Sequence, residues 1–100
     1  MPSGFSIPVS EQRFFLRQAL RDKFHYIVAN YVGGVFDGSP QRKWTINVHI
    51  DCQANIFVSV MVWHAERNYG EKVQRLMGLL EPLQKYICQL NIFVQTGFLE

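Results

Sequence analysis

Long hydrophobic runs are missing from this sequence: no apolar stretch approaches the ~18 residues that a membrane span needs. The opening MPSGFSIPVS has neither the basic nor the long apolar region of a secretory leader. Charge is scarce, at 18% of residues, and nearly balanced, with ten Lys/Arg against eight Asp/Glu for a net charge of +2. Residues 1–50 hold six basic and three acidic residues, and residues 51–100 hold four and five. That excess is too small to hold a nucleic acid unaided at physiological salt. There are only two cysteines, Cys52 and Cys88, and they form neither a CxxC nor a metal-ligand spacing. Two free thiols in a reducing compartment, and hence a soluble cytoplasmic protein, are the expectation.

Catalytic signatures are missing as well. The eight acids are scattered, so no carboxylate pair suggests general acid–base work. YVGGVFDGSP, residues 31–40, carries glycines without the spacing of a phosphate-binding loop. Neither cysteine has a base nearby in sequence, and Ser59 lies within a strand pattern rather than on an exposed elbow. Of the three histidines, only His49 has an acid on its own strand face, Asp51. His64 falls about seven strand rises from His49, too far for one metal to join them. No enzyme, metal or cofactor is expected; His49 with Asp51 is the one pair worth testing.

What the chain does have is apolar and aromatic residues, 48% and 14% of the total. One hundred residues form a single domain, and so much apolar surface in a small one favours self-association. Residues 1–9, with two prolines, a glycine and two serines, read as a flexible arm, leaving 10–100 as the folded unit. Ser10 reads as a helix N-cap, with Glu11 in the first turn. Leu16, Leu20, Phe24, Ile27 and Tyr31 recur at helical spacing. Gly33-Gly34 reads as the stop. HYIVANYV, residues 25–32, is rich in strand formers, so a strand from Tyr26 is the alternative to a helix ending near Tyr31. DGSP, residues 37–40, reads as a loop.

Residues 43–64, KWTINVHIDCQANIFVSVMVWH, alternate twice. Trp44, Ile46, Val48 and Ile50 share one face of a first strand, and Ile56, Val58, Val60 and Val62 that of a second. Both aliphatic rows share a face if a three-residue loop, Cys52–Ala54, is closed by Asp51 opposite Asn55. The opposite face then pairs His49 with Phe57, Asn47 with Ser59, Thr45 with Met61 and Lys43 with Trp63. This half-aromatic face has three candidate uses: stacking on bases, an interface with protein, or a cover formed by the first helix. Burial of Phe57, Met61 and Trp63 is worth roughly 1.5–3 kcal/mol each, so coverage is expected.

Tyr69, Val73, Leu76, Leu80, Leu83, Ile87 and Leu90 form an a/d seam on a second helix, with a kink expected at Pro82. Met77, Leu79 and Tyr86 widen its apolar stripe beyond what a small sheet covers. NIFVQTGFL, residues 91–99, ends the chain as a strand with Ile92, Val94, Thr96 and Phe98 on one side. An α+β domain of order helix–strand–strand–helix–strand follows, with an antiparallel hairpin, a C-terminal strand and two packed helices.

The function expected is a non-enzymatic adaptor or regulatory module. It acts as a homodimer and binds a protein partner through Phe57, Met61, Trp63 and Leu80. The alternative is binding of RNA or single-stranded DNA. Arg13, Arg17 and Arg21 stand in a row four residues apart, continued by His25. With Arg42 and Lys43 they would meet phosphates, and Phe57 and Trp63 would stack on bases.

Overall fold

A computed structural model describes residues 9–36, 43–64 and 69–98. In chain order these form α1 (Val9–Phe36), β1 (Lys43–Ile50), β2 (Ile56–His64), α2 (Tyr69–Tyr86) and β3 (Leu90–Phe98). The α+β class and the element order are those expected. The sheet runs β1-β2-β3, with β1 antiparallel and β3 parallel to β2. The parallel pairing follows from α2, which carries the chain back along the sheet before β3 begins. The arm expected at residues 1–9 lies outside the described residues except for Val9, which opens α1, and so does the DGSP loop.

The hairpin has the register that alternation requires, from Ile50 opposite Ile56 to Trp44 opposite Val62. Its loop is the three-residue one: the Asp51 N–H donates to the Asn55 carbonyl at 3.0 Å, and the Ala54 N–H to the Asp51 carbonyl at 3.1 Å. Ala54 takes a left-handed backbone, φ 64°, as the last residue of such a loop does.

One expectation about α1 is corrected, its stop at Gly33-Gly34, and the choice left open at residues 25–32 falls to the helix. The helix runs through Gly33-Gly34 to Phe36, and residues 25–32 are helical rather than a strand. Two glycines cost a helix about 2 kcal/mol. Burial of Val32, Val35 and Phe36 outweighs that, at roughly 1.5 kcal/mol or more each. The β-branched residues that suggested a strand, Val28 and Val32, are instead fully buried against the sheet. The buried stripe is Phe24, Val28, Val32 and Val35, while Ile27 and Tyr31 are half-buried. Leu16 and Leu20 are exposed, because 28 helical residues span about 42 Å and an eight-residue strand only about 26 Å.

The seam of α2 behaves as expected over Leu76 and Leu80, both buried. The helix is continuous across Pro82 but ends at Tyr86, so Ile87 lies in the following turn and Leu90 opens β3. Leu90 is nonetheless buried, in the same core.

One core joins these elements. The row Ile46–Val48–Ile50, the row Ile56–Val58–Val60–Val62 and Leu90 meet Phe24, Val28 and Val32 of α1 and Leu76 and Leu80 of α2. Both helices therefore lie on the aliphatic face. Among the described residues the sheet is the outer layer of a two-layer fold, and α1, one of the three candidates to meet the half-aromatic face, packs on the other side.

Candidate functional site

The half-aromatic face follows from strand alternation. Each aliphatic residue turned toward the helices leaves its neighbour pointing away. β1 contributes Thr45, Asn47 and His49, and β2 contributes Phe57, Ser59, Met61 and Trp63. β3 adds Asn91, Phe93, Gln95 and Gly97 beside Phe57, Ser59, Met61 and Trp63. Phe57, Met61 and Trp63 are only half-buried, and Phe93 is 53% exposed. The site residues expected from sequence on β2 thus share one open surface.

Neighbours across the strands set the local order of this surface. His49 stacks on Phe57 with ring centroids 6.2 Å apart and planes 27° apart. Gly97, opposite Trp63, lets the indole and the Met61 side chain close in. A β-carbon there would stand 3.1 Å from Trp63 Cδ1 and 3.2 Å from Met61 Cε. Phe93 and Gly97 were absent from the candidates read from sequence. Alternation in NIFVQTGFL put them opposite Ile92 and Thr96. That they stand beside the aromatics of β2 required knowing which strand β3 joins.

The basic row on α1 has its own place. Arg21 reaches the β1 edge, where its Nε donates to the Val48 carbonyl at 3.1 Å, while Nη1 donates to Gln18 Oε1 at 3.3 Å. Arg17, Arg21 and His49 line a groove of about 270 Å³ beside the end of β1. The exposed row therefore borders the open face at its His49–Phe57 corner. Arg42 and the side chains of Arg13 and Lys43 lie outside the described residues.

Leu80 is corrected. It is 1% exposed and packed in the chain's own core, so it offers a partner nothing. Helical periodicity marks a face to be buried, and the sheet and α1 bury this one. The flank of the seam remains exposed at Met77, Leu79 and Tyr86.

The His49–Asp51 pair is divided between two roles. Asp51 holds the hairpin loop: Oδ1 accepts the N–H groups of Gln53 at 2.9 Å and Asn55 at 2.8 Å, and Oδ2 accepts Asn55 Nδ2 at 3.1 Å. These bonds, from the Asn55 side chain first, hold the Asp51 carboxyl below the usual carboxylate range, with a smaller contribution from the nearby His49. A depressed carboxyl stabilises the fold above its unfolded-state pKa, and that stability is lost as pH falls through the folded-state value. Asp51→Ala is expected to lower the melting temperature at neutral pH. The difference from wild type should shrink in acid, as melting curves across that range would show.

His25 is exposed on α1 near Asp22, and the side chain of His64 lies outside the described residues. Cys52 and Cys88 are exposed free thiols. Among the described residues, no three His, Cys, Asp or Glu side chains gather as metal ligands would, and no helix is long and apolar enough to cross a membrane. Comparison with known proteins gives no match, whether to family models, to curated proteins or to solved structures.

Proposed function

We propose that this protein is a non-enzymatic interaction module, an adaptor or regulatory protein that acts as a homodimer and takes a protein partner on its open sheet face. One observation carries the reading: Phe57, Met61, Trp63 and Phe93 share a face on which neither helix lies. Aromatic residues and Met are enriched at protein interfaces, and charge is depleted at their centres. The middle of this face, Asn47, Ser59, Met61, Phe93 and Gln95, holds no charged residue. The exposed apolar side chains on α2, Met77 and Tyr86, add a second contact surface. Two free exposed thiols support a reducing, cytoplasmic setting as part of the same proposal.

A second reading, a binder of RNA or single-stranded DNA, draws on the border of that face. Arg17 and Arg21 stand beside the His49–Phe57 stack, so phosphates along the β1 edge would bring bases over the aromatics. Apolar contact and phosphate contact respond oppositely to salt, because phosphate binding releases counterions.

Sedimentation of the pure protein at low and high salt, read at 260 and 280 nm, separates the two. A dimer that survives high salt and carries no 260-nm excess is the expected result. A monomer at high salt that carries nucleic acid at low salt would overturn it in favour of the second reading.

A further inference from the structure

The two edges of the sheet are treated differently. Along β1, the backbone groups that point away from β2 belong to Trp44, Ile46, Val48 and Ile50, because the Asp51–Asn55 bond closes the hairpin and the ladder alternates from there. α1 runs beside this edge with charged residues over it: Arg21 bonds the Val48 carbonyl, and Asp22 and His25 line the groove past Ile46. Charged cover of this kind keeps an edge from pairing with other strands.

β3 is the other edge. The Ile56 N–H donates to the Gln89 carbonyl at 2.9 Å, so odd-numbered residues of β3 face β2 and even-numbered ones face outward. The first half of that edge is closed. The Leu90 N–H donates to the Ile87 carbonyl at 3.0 Å, and the Ile92 N–H to Gln84 Oε1 of α2 at 3.0 Å. Beyond Ile92 the outward N–H and C=O groups of Val94 and Thr96 have no partner among the described residues. The strand, LNIFVQTGF, has no charge, no proline and nine residues in regular register with β2. Among the described residues, the second half of this strand has neither a charge nor a proline to guard it against pairing.

We infer that β3 is the homodimer interface: two copies pair their β3 strands antiparallel about a two-fold axis at Gln95, joining two three-stranded sheets into one of six. This rests on the homodimer proposed above. An edge with alternating open donors and acceptors is matched by another strand, and an uncharged strand can oppose its own copy without repulsion. A two-fold axis makes the interface self-complementary, so no further component is needed. Centring at Gln95 sets the open groups of Val94 opposite those of Thr96 in the second copy, and it leaves the half closed by Gln84 clear. On the helical side, the groove between α2 and β3 is lined by Met77, Ile92 and Val94 beside Glu81 and Gln84, over the buried Leu80. Met77, 48% exposed there, gains apolar cover as the two helical layers approach. The aromatic face stays open, doubled in area on one continuous sheet.

Gln95 gives a direct test because its side chain is exposed on the open face and meets its own copy at the axis. Like charges directly opposite each other across a strand pair are destabilising, and opposite charges favourable. Gln95→Lys and Gln95→Glu are each expected to sediment as monomers at concentrations where wild type is a dimer, with association weakened at least about tenfold, ~1.4 kcal/mol. An equimolar mixture of the two should restore a dimer. Thr96→Pro, which removes the outward N–H along with the hydroxyl 3.3 Å from that of Tyr69, should weaken the dimer too, and it decides the matter if either charged variant fails to show a cooperative melt. Charged variants that remain dimeric would overturn the β3 interface and leave the homodimer intact, formed through another surface. A wild type that is monomeric throughout would overturn both.

Discussion

Val60→Asp is expected to abolish the native fold, whereas Met61→Asp, one residue along the same strand, is expected to leave it standing. Val60 is 1% exposed in the core, with Ile46 and Val94 on either side of it in the sheet. A carboxylate there has no hydrogen-bonding partner on either neighbour, and burying an unpaired charge costs several kcal/mol in practice. A domain of this size has a total stability of about 5–15 kcal/mol, so most or all of it is lost. Met61 points to the open face, half-buried beside Trp63 and Gly97, where an added carboxylate reaches water. Its cost should be about 1 kcal/mol, an ordinary figure for a surface substitution that loses some packing. Far-ultraviolet circular dichroism with thermal melting distinguishes the two. The native Met61→Asp protein should also bind an environment-sensitive dye such as anilinonaphthalene sulfonate less than wild type does, because the charge interrupts the aromatic surface. Equal damage from both substitutions would mean that the outer face is buried in the native state.

The second large effect is on α2. Leu80→Ala should destabilise the protein by about 2–5 kcal/mol, the range for truncating a fully buried leucine. At roughly 4–8 °C per kcal/mol for a domain this small, the melting temperature falls by about 10 °C or more. The cost is high because Leu80 sits with Leu76 where α2, α1 and the sheet meet, so no single element can shift to fill the gap. Met77, three residues earlier on the same helix, is 48% exposed. Met77→Ala should change the monomer's stability by about 0.5 kcal/mol or less. Differential scanning calorimetry of the two variants, at concentrations low enough to hold the protein monomeric, checks both numbers. If Met77→Ala cost as much as Leu80→Ala, the buried side of α2 would be wrongly assigned.

These pairs mark where sequence was informative about this chain. The hairpin could be read completely, down to its register and the Cys52–Ala54 loop, because a period of two and one short connection leave a single way to put both aliphatic rows on one side. The seam of α2 was legible for the same reason: period and burial coincide over Val73, Leu76 and Leu80. The outer row Phe57–Met61–Trp63 followed automatically, as the complement of the inner one.

What the sequence left undetermined depended on contacts between distant segments. Local propensity stops α1 at Gly33-Gly34 and favours a strand at residues 25–32. Only the sheet beneath Val28, Val32 and Val35 makes a helix through to Phe36 the lower-energy choice. Apolar periodicity marks Leu80 as a residue to be covered without naming the cover, and the core claims it. The choice of β2 as the neighbour of β3 brought Phe93 and Gly97 to the aromatic face, and the packing of both helices on the aliphatic side left that face open. Short-range periodicity therefore determined which side chains share a face. Which face is covered, and which edge is left open to pair, was decided only by tertiary packing, because burial is a property of what two distant segments exclude together.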